Sequence, residues 1–365
     1  MAELFLNNNK IANISTTSLM LPNLKKLDLS RNLLTFIDRE TFRGIKNLEY
    51  LNLADNKFTT FTNLMFHHLS NLNEIILDNN NIGASLQRVN LFDRSGYGLT
   101  RKIQSISINR INFGNVPPNF FIDAYDLRKL SITHNKITDV FELPCELQYL
   151  DMSDNPLSEI AGEDFVNLPS LRDLKLNNLL ISEIPEFAFE NLHSLKTLEL
   201  GRNKNLTQFS SIAFGADVLS DAVDFPLEKL SLKGSRLTKL DAELLEPFGH
   251  LTELDLQGNP WHCDCDMKWV KRLQIPEHFT DHLRCGSPPD LFNAKIFDLK
   301  SKFFTCDNKK RHIGFAIALF TVCTILAMMA VWIFLCIPSR HCNPATFRDL
   351  YGTSAAYSVL PTSPN

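Results

Sequence analysis

Four cysteines near the C-terminal end of the chain have the spacing that most clearly indicates chemistry: Cys263, Cys265, Cys285 and Cys306. Thiolates either bind zinc or oxidise to disulfides. A bridge between Cys263 and Cys265 would close a ring too small for relaxed disulfide geometry, so each needs a partner further along the chain. Sequence alone leaves three pairings open.

Zinc is the alternative for these cysteines, because three nearby histidines could complete a ligand set: His262, His278 and His282. The cysteine ligands of structural zinc usually come in pairs two to four residues apart, whereas Cys285 and Cys306 stand singly. The pattern therefore favours disulfides, and we expect no bound metal.

The rest of the chain contains no motif that indicates catalysis or a cofactor. It lacks G-x-S-x-G, H-E-x-x-H, the phosphate-binding G-x-x-x-x-G-K and the dinucleotide-binding glycine pattern. Its 37 basic and 41 acidic residues give a net charge of -4. No long run of one sign indicates nucleic-acid binding. We expect no catalytic residues, no cofactor and no nucleic-acid partner.

A repeated frame of about 24 residues indicates which elements position the cysteines. In "LKKLDLSRNLL" the apolar residues Leu24, Leu27 and Leu29 are followed by Asn32, and the frame returns as "LEYLNLADNKF" and "LNEIILDNNNI". We count eleven copies, the first truncated and the fifth weak. They begin at Met1, Leu24, Leu48, Leu72, Ile103, Leu127, Leu147, Leu171, Leu195, Leu227 and Leu251.

Each part of the frame has a physical task. The L-x-L core alternates with period two, which predicts a short strand with leucines on one face. One such strand cannot bury its leucines, but parallel strands from stacked repeats can. The Asn at the bend can satisfy backbone groups, and Ile111, Leu179 and Ser235 replace it in three copies. We expect Asn112 or Asn178 to compensate, and we expect Cys145 to be buried.

Phenylalanine recurs eighteen residues after the first leucine of several repeats and predicts a second stack beneath the outer curve. These residues are Phe42, Phe66, Phe165, Phe189 and, one place later, Phe214.

The repeats and the segments "NPWHCDC", "RCGSPPDL" and "FTCDN" resemble the extracellular leucine-rich repeat superfamily, including its four-cysteine C-terminal cap in Slit and Toll proteins. The resemblance implies an α/β-type repeat solenoid, a curved horseshoe with a parallel β-sheet on its concave face. It also implies disulfides Cys263–Cys285 and Cys265–Cys306. We expect repeats at 1–259 and the cap at 260–308.

A 25-residue stretch at 313–337 contains no charged residue, Pro or Asn. As a helix it would reach roughly 37 Å, enough to cross a bilayer with some tilt, so it predicts one transmembrane helix. The 28 residues at 338–365 then form a short tail without a Toll intracellular domain. Its "YSVL", from Tyr357 to Leu360, resembles a tyrosine-based sorting signal for a clathrin adaptor.

Disulfides indicate an oxidising compartment, so we expect a type I plasma-membrane protein with extracellular repeats. Sequons at Asn13 and Asn205 agree with glycosylation there. The flanking charges favour the opposite orientation, since Lys309, Lys310 and Arg311 precede the stretch. Long domains translocate regardless of such charges when a signal directs them. "MAELFLNNNK" opens inside a repeat, so we expect a signal and an N-terminal cap before it.

Polar and aromatic residues between the strand leucines are the candidate binding residues. They are Asp28, Tyr50, Asn52, Ile76, Ser131, His134, Tyr149, Asp151, Lys175 and Glu199. Tyrosine is a frequent hot-spot residue, which favours Tyr50 and Tyr149. We expect a protein-binding receptor, co-receptor or adhesion molecule, able to form homo- or heterodimers. The alternatives are an adhesive scaffold without signalling and a shed decoy binder.

Overall fold

The computed structural model describes residues 1–14, 19–88, 91–92, 98–99, 102–304, 306, 319–329 and 332. The chain divides into two compact units, Met1–Cys306 and Asp307–Asn365. In the second unit, residues 319–329 are helical. The first unit carries the repeats and the four cysteines.

Eleven short strands form one parallel sheet in the described part of the first unit. They are β1 Glu3–Phe5, β2 Lys26–Asp28, β3 Tyr50–Asn52, β4 Glu74–Ile76, β5 Ser105–Ser107, β6 Lys129–Ser131, β7 Tyr149–Asp151, β8 Asp173–Lys175, β10 Thr197–Glu199, β12 Lys229–Ser231 and β13 Glu253–Asp255. Two smaller parallel pairs join β9 Glu183–Ile184 to β11 Gln208–Phe209, and β14 Trp261–His262 to β15 Cys285–Ser287. The parallel sheet predicted from the alternating leucines is confirmed.

The helical elements of the first unit are short. The α-helices in its described residues are α1 Gly83–Leu86, α2 Leu245–Gly249 and α3 Glu277–Thr280. Its 3-10 helices are Phe61–Asn63, Gly162–Phe165, Asp217–Leu219, Ala242–Leu244, Cys265–Arg272, Pro289–Leu291, Ile296–Asp298 and Ser301–Phe303. Turns and 3-10 segments therefore return the chain to the sheet. The expected α/β-type solenoid would use longer helices for this return.

The main sheet buries the middle residue of its strands. From β2 to β13 the middle residue of every strand in this eleven-stranded sheet, such as Leu51 or Leu150, is at most 3% exposed. Adjacent strands pair without a register shift, so these side chains form one continuous row. A single row buried across all repeats makes each repeat depend on its neighbours for its core.

The buried asparagines bind consecutive repeats together. Asn56 Nδ2 donates to the carbonyl of Leu29 in the preceding repeat and to that of Leu53 in its own, both at 3.0 Å. Its Oδ1 accepts the backbone N–H of Leu34 at 3.0 Å. Each such side chain satisfies backbone groups that a tight bend leaves unpaired.

Where an aliphatic residue replaces the asparagine, its backbone N–H still donates to the asparagine of the next repeat, as the N–H of Asn135 does to Asn155 Oδ1 at 3.1 Å. The backbone N–H of Ile111 donates to Asn135 Oδ1 at 3.1 Å, and that of Leu179 donates to Asn203 Oδ1 at 2.7 Å. The expected compensation by Asn112 and Asn178 is wrong. Asn178 Nδ2 instead bonds the Asp154 carboxylate at 2.6 Å, because its left-handed backbone turns the side chain outward.

The predicted phenylalanine stack is confirmed. The ring centroids lie 6.4 Å apart for Phe42 and Phe66, 6.1 Å for Phe165 and Phe189, and 5.7 Å for Phe189 and Phe214. Paired strands lie only about 4.8 Å apart. Because the repeats are spaced more widely at the rings than at the strands, the sheet lies on the inner, concave face.

The segment after β13 covers the last repeat. Trp261 is fully buried and donates its ring N–H to the Leu256 carbonyl at 2.9 Å. Cys263 pairs with Cys285 and Cys265 with Cys306, at Cα separations of 5.7 and 5.0 Å. This pairing is the one that the resemblance implies. It holds the cap against the terminal leucines, which would otherwise face water.

Cys145 is exposed, so its predicted burial is wrong. Its repeat is short, with only 20 residues from Leu127 to Leu147. The outer segment is therefore shortened, and Cys145 lies at the surface next to the buried Pro144.

In the described part of the chain, no helix is both long and apolar enough to cross a membrane. Of the predicted span 313–337, residues 319–329 and 332 are described and the others lie outside the described residues. The tail, with Tyr357 and Leu360, also lies outside them.

Candidate functional site

The concave face is formed by the first and third residues of the sheet strands and by the turns that follow them. Nine of the ten predicted binding residues lie in these strands, and they are partly buried: Asp28, Tyr50, Asn52, Ile76, Ser131, Tyr149, Asp151, Lys175 and Glu199. Their placement follows from the alternation, since the middle residue points into the core.

His134 differs from the other nine because it lies in the turn after β6, not in a strand. Its φ angle of 54° places it in the left-handed region. Its ring lies between two charged residues, with Nε2 3.1 Å from the guanidinium of Arg110 and Nδ1 3.5 Å from the carboxylate of Asp154. It belongs to the rim of the concave face.

Several predicted binding residues also stabilise the strand ends. Asp28 Oδ1 accepts the backbone N–H of Ser30 at 2.8 Å, and Asn52 Oδ1 accepts that of Ala54 at 3.0 Å. Such short side-chain bonds to the backbone two residues on are typical of turns. Tyr50 lies on the same face of the sheet. Its pKa is raised mainly by burial and secondly by the negative charge of Asp28.

A hydrogen-bonded patch connects β4, β5 and β6, and consists of Asp78, Ser107, Asn109 and Ser131. The Asp78 carboxylate accepts bonds from Ser107 Oγ at 2.8 Å and from the backbone N–H of Asn109 at 2.8 Å. Asn109 Nδ2 donates to Asp78 Oδ2 at 3.1 Å and to Ser107 Oγ at 2.9 Å. Ser131 Oγ donates to Asn109 Oδ1 at 3.0 Å. The polar groups of this patch largely satisfy one another.

A charged patch lies on the next three strands and consists of Tyr149, Asp151, Asp173, Lys175 and Glu199. The ammonium of Lys175 is 2.7 Å from Glu199 Oε1. The backbone of Lys175 lies opposite that of Asp151 on β7. Asp173 is the register partner of Tyr149. The five residues include three carboxylates and one ammonium, so together they are net negative at neutral pH.

Tyr149 is the aromatic member of the charged patch. Burial first, and then the charge of Asp151, raise its pKa far above the ordinary value. Its hydroxyl reaches Asp151 Oδ2 only at 3.4 Å, and the ammonium of Lys129 lies 5.3 Å from the ring centroid. One face of the Tyr149 ring therefore already makes a cation–π contact with Lys129.

Lys175 remains protonated in this setting. Burial lowers its pKa, but the bond to Glu199 and the charges of Glu199 and Asp151 outweigh that effect, so its pKa is raised. Glu199 Oε2 also accepts Asn177 Nδ2 at 2.8 Å. Lys175 neutralises mainly the charge of Glu199. The negative charges of Asp151 and Asp173 are compensated less completely.

The chemistry of the charged patch suits a basic protein surface. Arginine and lysine bind carboxylates through charge-assisted hydrogen bonds and bind aromatic faces as cations. Tyrosine and the charges around it are frequent hot spots in protein interfaces. We find no comparable cluster of uncompensated charge among the predicted residues on β2 to β6.

Four residues of these patches were not among the predicted binding residues: Asp78, Ser107, Asn109 and Asp173. Asp78 and Asn109 lie two residues after a strand, at the position that Ser30 occupies in its repeat, whereas Ser107 and Asp173 lie in β5 and β8. Reading the polar residues at this offset, as well as those between the leucines, would have found them.

Two family models match the chain. The model described as "Leucine rich repeat" matches residues 1–58 and 22–82. The model described as "BspA type Leucine rich repeat region (6 copies)" matches residues 137–232.

Curated relatives match about two thirds of the chain. Tsukushi from Gallus gallus is 27% identical over 260 residues, covering 70% of this chain and 67% of that protein. Toll-like receptor 8 from Homo sapiens is 29% identical over 267 residues, covering 64% of this chain and 24% of the receptor. The chain therefore spans about two thirds of Tsukushi and about a quarter of the receptor.

Solved structures share the fold at low identity. A chain of the octameric complex of Latrophilin 3, Unc5D and FLRT2 has a TM-score of 0.53 at 23% identity, covering 84% of this chain and 90% of that chain. A chain of the Toll–Spatzle complex from Drosophila has a TM-score of 0.50 at 19% identity, covering 84% of this chain and 52% of that chain. The parallel solenoid is the fold that they have in common.

Proposed function

We propose that this chain, a leucine-rich repeat ectodomain-like protein with a cysteine-containing C-terminal region, is a single-pass cell-surface receptor, co-receptor or adhesion molecule. Its ligand is a protein that binds the concave face of the repeats through a basic surface. The observation that carries this proposal is the charged patch around Tyr149, where the carboxylates of Asp151, Asp173 and Glu199 outnumber the ammonium groups of Lys129 and Lys175.

The comparisons support a binding role. Toll-like receptor 8 is a receptor by name, and both structural neighbours come from complexes with other proteins. A preformed sheet is also suited to recognition, since its side chains are ordered before the partner arrives and lose little entropy on binding.

The two disulfides of the cap support extracellular repeats, since such bonds persist in oxidising compartments. Asn205 of the second sequon is exposed, and its side chain makes one bond, to the Leu180 carbonyl at 3.2 Å. A glycan at this position would meet no packed core.

Proximity labelling on living cells tests the binding role. The full chain is expressed behind a cleavable signal with a peroxidase at its N-terminus, as wild type and as the double variant Tyr149→Ala/Asp151→Ala. The control is Tyr125→Ala, at an exposed tyrosine outside the sheet strands. We expect at least one labelled surface protein to depend on the charged patch and not on Tyr125. Identical labelling in all three would refute the concave site.

Glycosidase treatment tests the compartment. We expect the full chain from intact cells to lose mass with glycosidase, and Asn205→Gln to lose part of this shift. Surface biotinylation of the wild type should succeed without permeabilisation. An unglycosylated chain that is labelled only after permeabilisation would exclude extracellular repeats.

Exchange of residues 338–365 for an unrelated tail separates a receptor from an adhesive scaffold. A receptor loses its cellular response while partner binding persists. A scaffold keeps its whole output.

A further inference from the structure

The outer turns of two adjacent repeats bring together three metal-binding side chains: Glu40, His67 and His68. One possible ligand atom from each lies within 4.8 Å of the other two. Glu40 precedes Phe42, and the histidines follow Phe66 directly. Because these two phenylalanine rings stack at 6.4 Å, the core fixes the two turns relative to each other.

The contact between His68 and Glu40 is long for a hydrogen bond. His68 Nε2 lies 3.4 Å from Glu40 Oε2, and this nitrogen is buried without a hydrogen bond in the described part of the chain. Burying a polar nitrogen without such a bond is unfavourable. A ligand that accepts its lone pair would remove that cost.

The two imidazoles lie side by side. Their ring centroids are 3.8 Å apart at an interplanar angle of 41°. Neutral imidazole is the form that binds a metal.

Arg43 also lies beside Glu40, and its guanidinium is 3.6 Å from Glu40 Oε2. The Arg43 side chain is 72% exposed, and exposed pairs of this kind contribute about 0–1 kcal/mol. Arg43 can therefore move away from the carboxylate when a divalent cation binds.

We propose that Glu40, His67 and His68 bind a divalent d-block cation, with Zn²⁺ as the best fit. Two imidazole nitrogens and one carboxylate oxygen form a common zinc ligand set, whereas Ca²⁺ and Mg²⁺ prefer oxygen alone. Bond lengths of about 2.1 Å bring tetrahedral ligands within about 3.5 Å of one another, so the side chains close in slightly. Water takes the fourth position on the exposed side.

Sequence spacing does not reveal this site, because Glu40 belongs to the preceding repeat. The bound ion links the outer turns of two repeats and therefore stabilises the folded chain by an amount that rises with the logarithm of the ion concentration above Kd. The site lies on the outer turns, and it does not depend on the proposed binding role of the concave face.

Calorimetric titration of the purified full chain, without a polyhistidine tag, tests the proposal with Zn²⁺, Ca²⁺ and Mg²⁺ as probes. We expect about one equivalent of Zn²⁺ to bind at pH 7.5, with no saturable binding of the other two ions. The variant His67→Gln/His68→Gln should weaken Zn²⁺ binding at least 100-fold, and Glu40→Gln about 10-fold.

The matched control is His250→Gln. His250 Nε2 also lies near a carboxylate, 3.6 Å from Glu246 Oε1, but has no third ligand in the described residues. This variant should bind Zn²⁺ like the wild type. Circular dichroism in EDTA checks that all variants fold alike.

Two further readouts complete the test. Binding should be lost near pH 5.5, because protonated imidazoles cannot coordinate. X-ray absorption of the zinc-loaded chain should show nitrogen and oxygen neighbours and no sulfur. Absence of saturable Zn²⁺ binding, or equal binding by a folded His67→Gln/His68→Gln chain, would overturn the proposal.

Discussion

The hydrogen-bonded patch on β4 to β6 and the charged patch on β7, β8 and β10 lie on the same sheet but use their polar groups differently. In the first, the Asp78 carboxylate accepts bonds from both Ser107 and Asn109. In the second, Lys175 pairs with Glu199 at 2.7 Å, and the charges of Asp151 and Asp173 act on the same ammonium without a direct bond to it.

This difference indicates that the hydrogen-bonded patch stabilises the fold and that the charged patch is suited to binding a partner. A polar network that satisfies itself holds adjacent strands together and gains little from a partner, which would have to break its bonds. An incompletely neutralised patch contributes less to folding and gains more from an opposite charge. Substitutions should therefore affect folding in the first patch and binding in the second.

The largest effect on stability is expected for Asp78→Asn. The amide keeps one acceptor oxygen and places an NH₂ beside donors, so we expect the free energy of unfolding to fall by about 2–3 kcal/mol. Urea unfolding of the full chain, followed by circular dichroism, measures it. Asp151→Asn is the matched control and should cost less than about 1 kcal/mol, because its oxygen can still accept the Ser153 N–H. Equal losses would contradict the distinction between the patches.

Binding should respond in the opposite way. Tyr149→Ala should weaken binding to the protein identified by proximity labelling about 30-fold, or about 2 kcal/mol, as expected for a hot spot. Ser131→Ala in the hydrogen-bonded patch should change affinity less than about threefold. Biolayer interferometry with both variants measures the ratio, and a larger effect from Ser131 would place the contact elsewhere.

A smaller effect with an informative sign is expected for Lys175→Met. Removing the ammonium makes the patch more negative, so affinity for a basic partner should rise about threefold at low salt and less at high salt. The lost pair with Glu199 should lower the free energy of unfolding by about 1 kcal/mol. Weaker binding by this variant would mean that the partner is acidic at this position.

The smallest effect is the alkaline dependence of stability. The pKa of Tyr149 is raised in the folded chain, mainly by burial. The folded state therefore holds this proton more tightly than the unfolded state, and the contribution is complete below pH about 10 and lost as the pH rises further. Tyr149→Phe should flatten the loss of stability between pH 9.5 and 11, measured by urea unfolding. Tyr125→Phe is the control, and an identical decline in both variants would exclude Tyr149 as the cause.

The repeating parts of the molecule were predictable from sequence because they depend on local rules applied many times. Alternation within "LKKLDLSRNLL" decides which residues face the core, and 24-residue spacing aligns them between repeats. The strands, the leucine row and the stack from Phe42 to Phe66 follow from that. Nine of the ten predicted binding residues lie in the strands for the same reason.

The errors occur where the repeat changes length or the chain turns. Cys145 is exposed because its repeat is short, and His134 lies in a left-handed turn between Arg110 and Asp154. The backbone N–H of Leu179, which replaces the Asn, donates to Asn203 of the following repeat and not to Asn178. Each outcome depends on how one repeat is offset against the next.

The sequence by itself determined the stacked repeats, the buried leucines and phenylalanines, and the absence of a familiar catalytic motif, since these depend on residue type and period. Only the tertiary structure decided which polar groups satisfy one another. Asp78 with Asn109, Lys175 with Glu199, and Glu40 with His68 all meet across repeats. Such contacts depend on side-chain distances between neighbouring turns and strands, which a linear pattern does not contain.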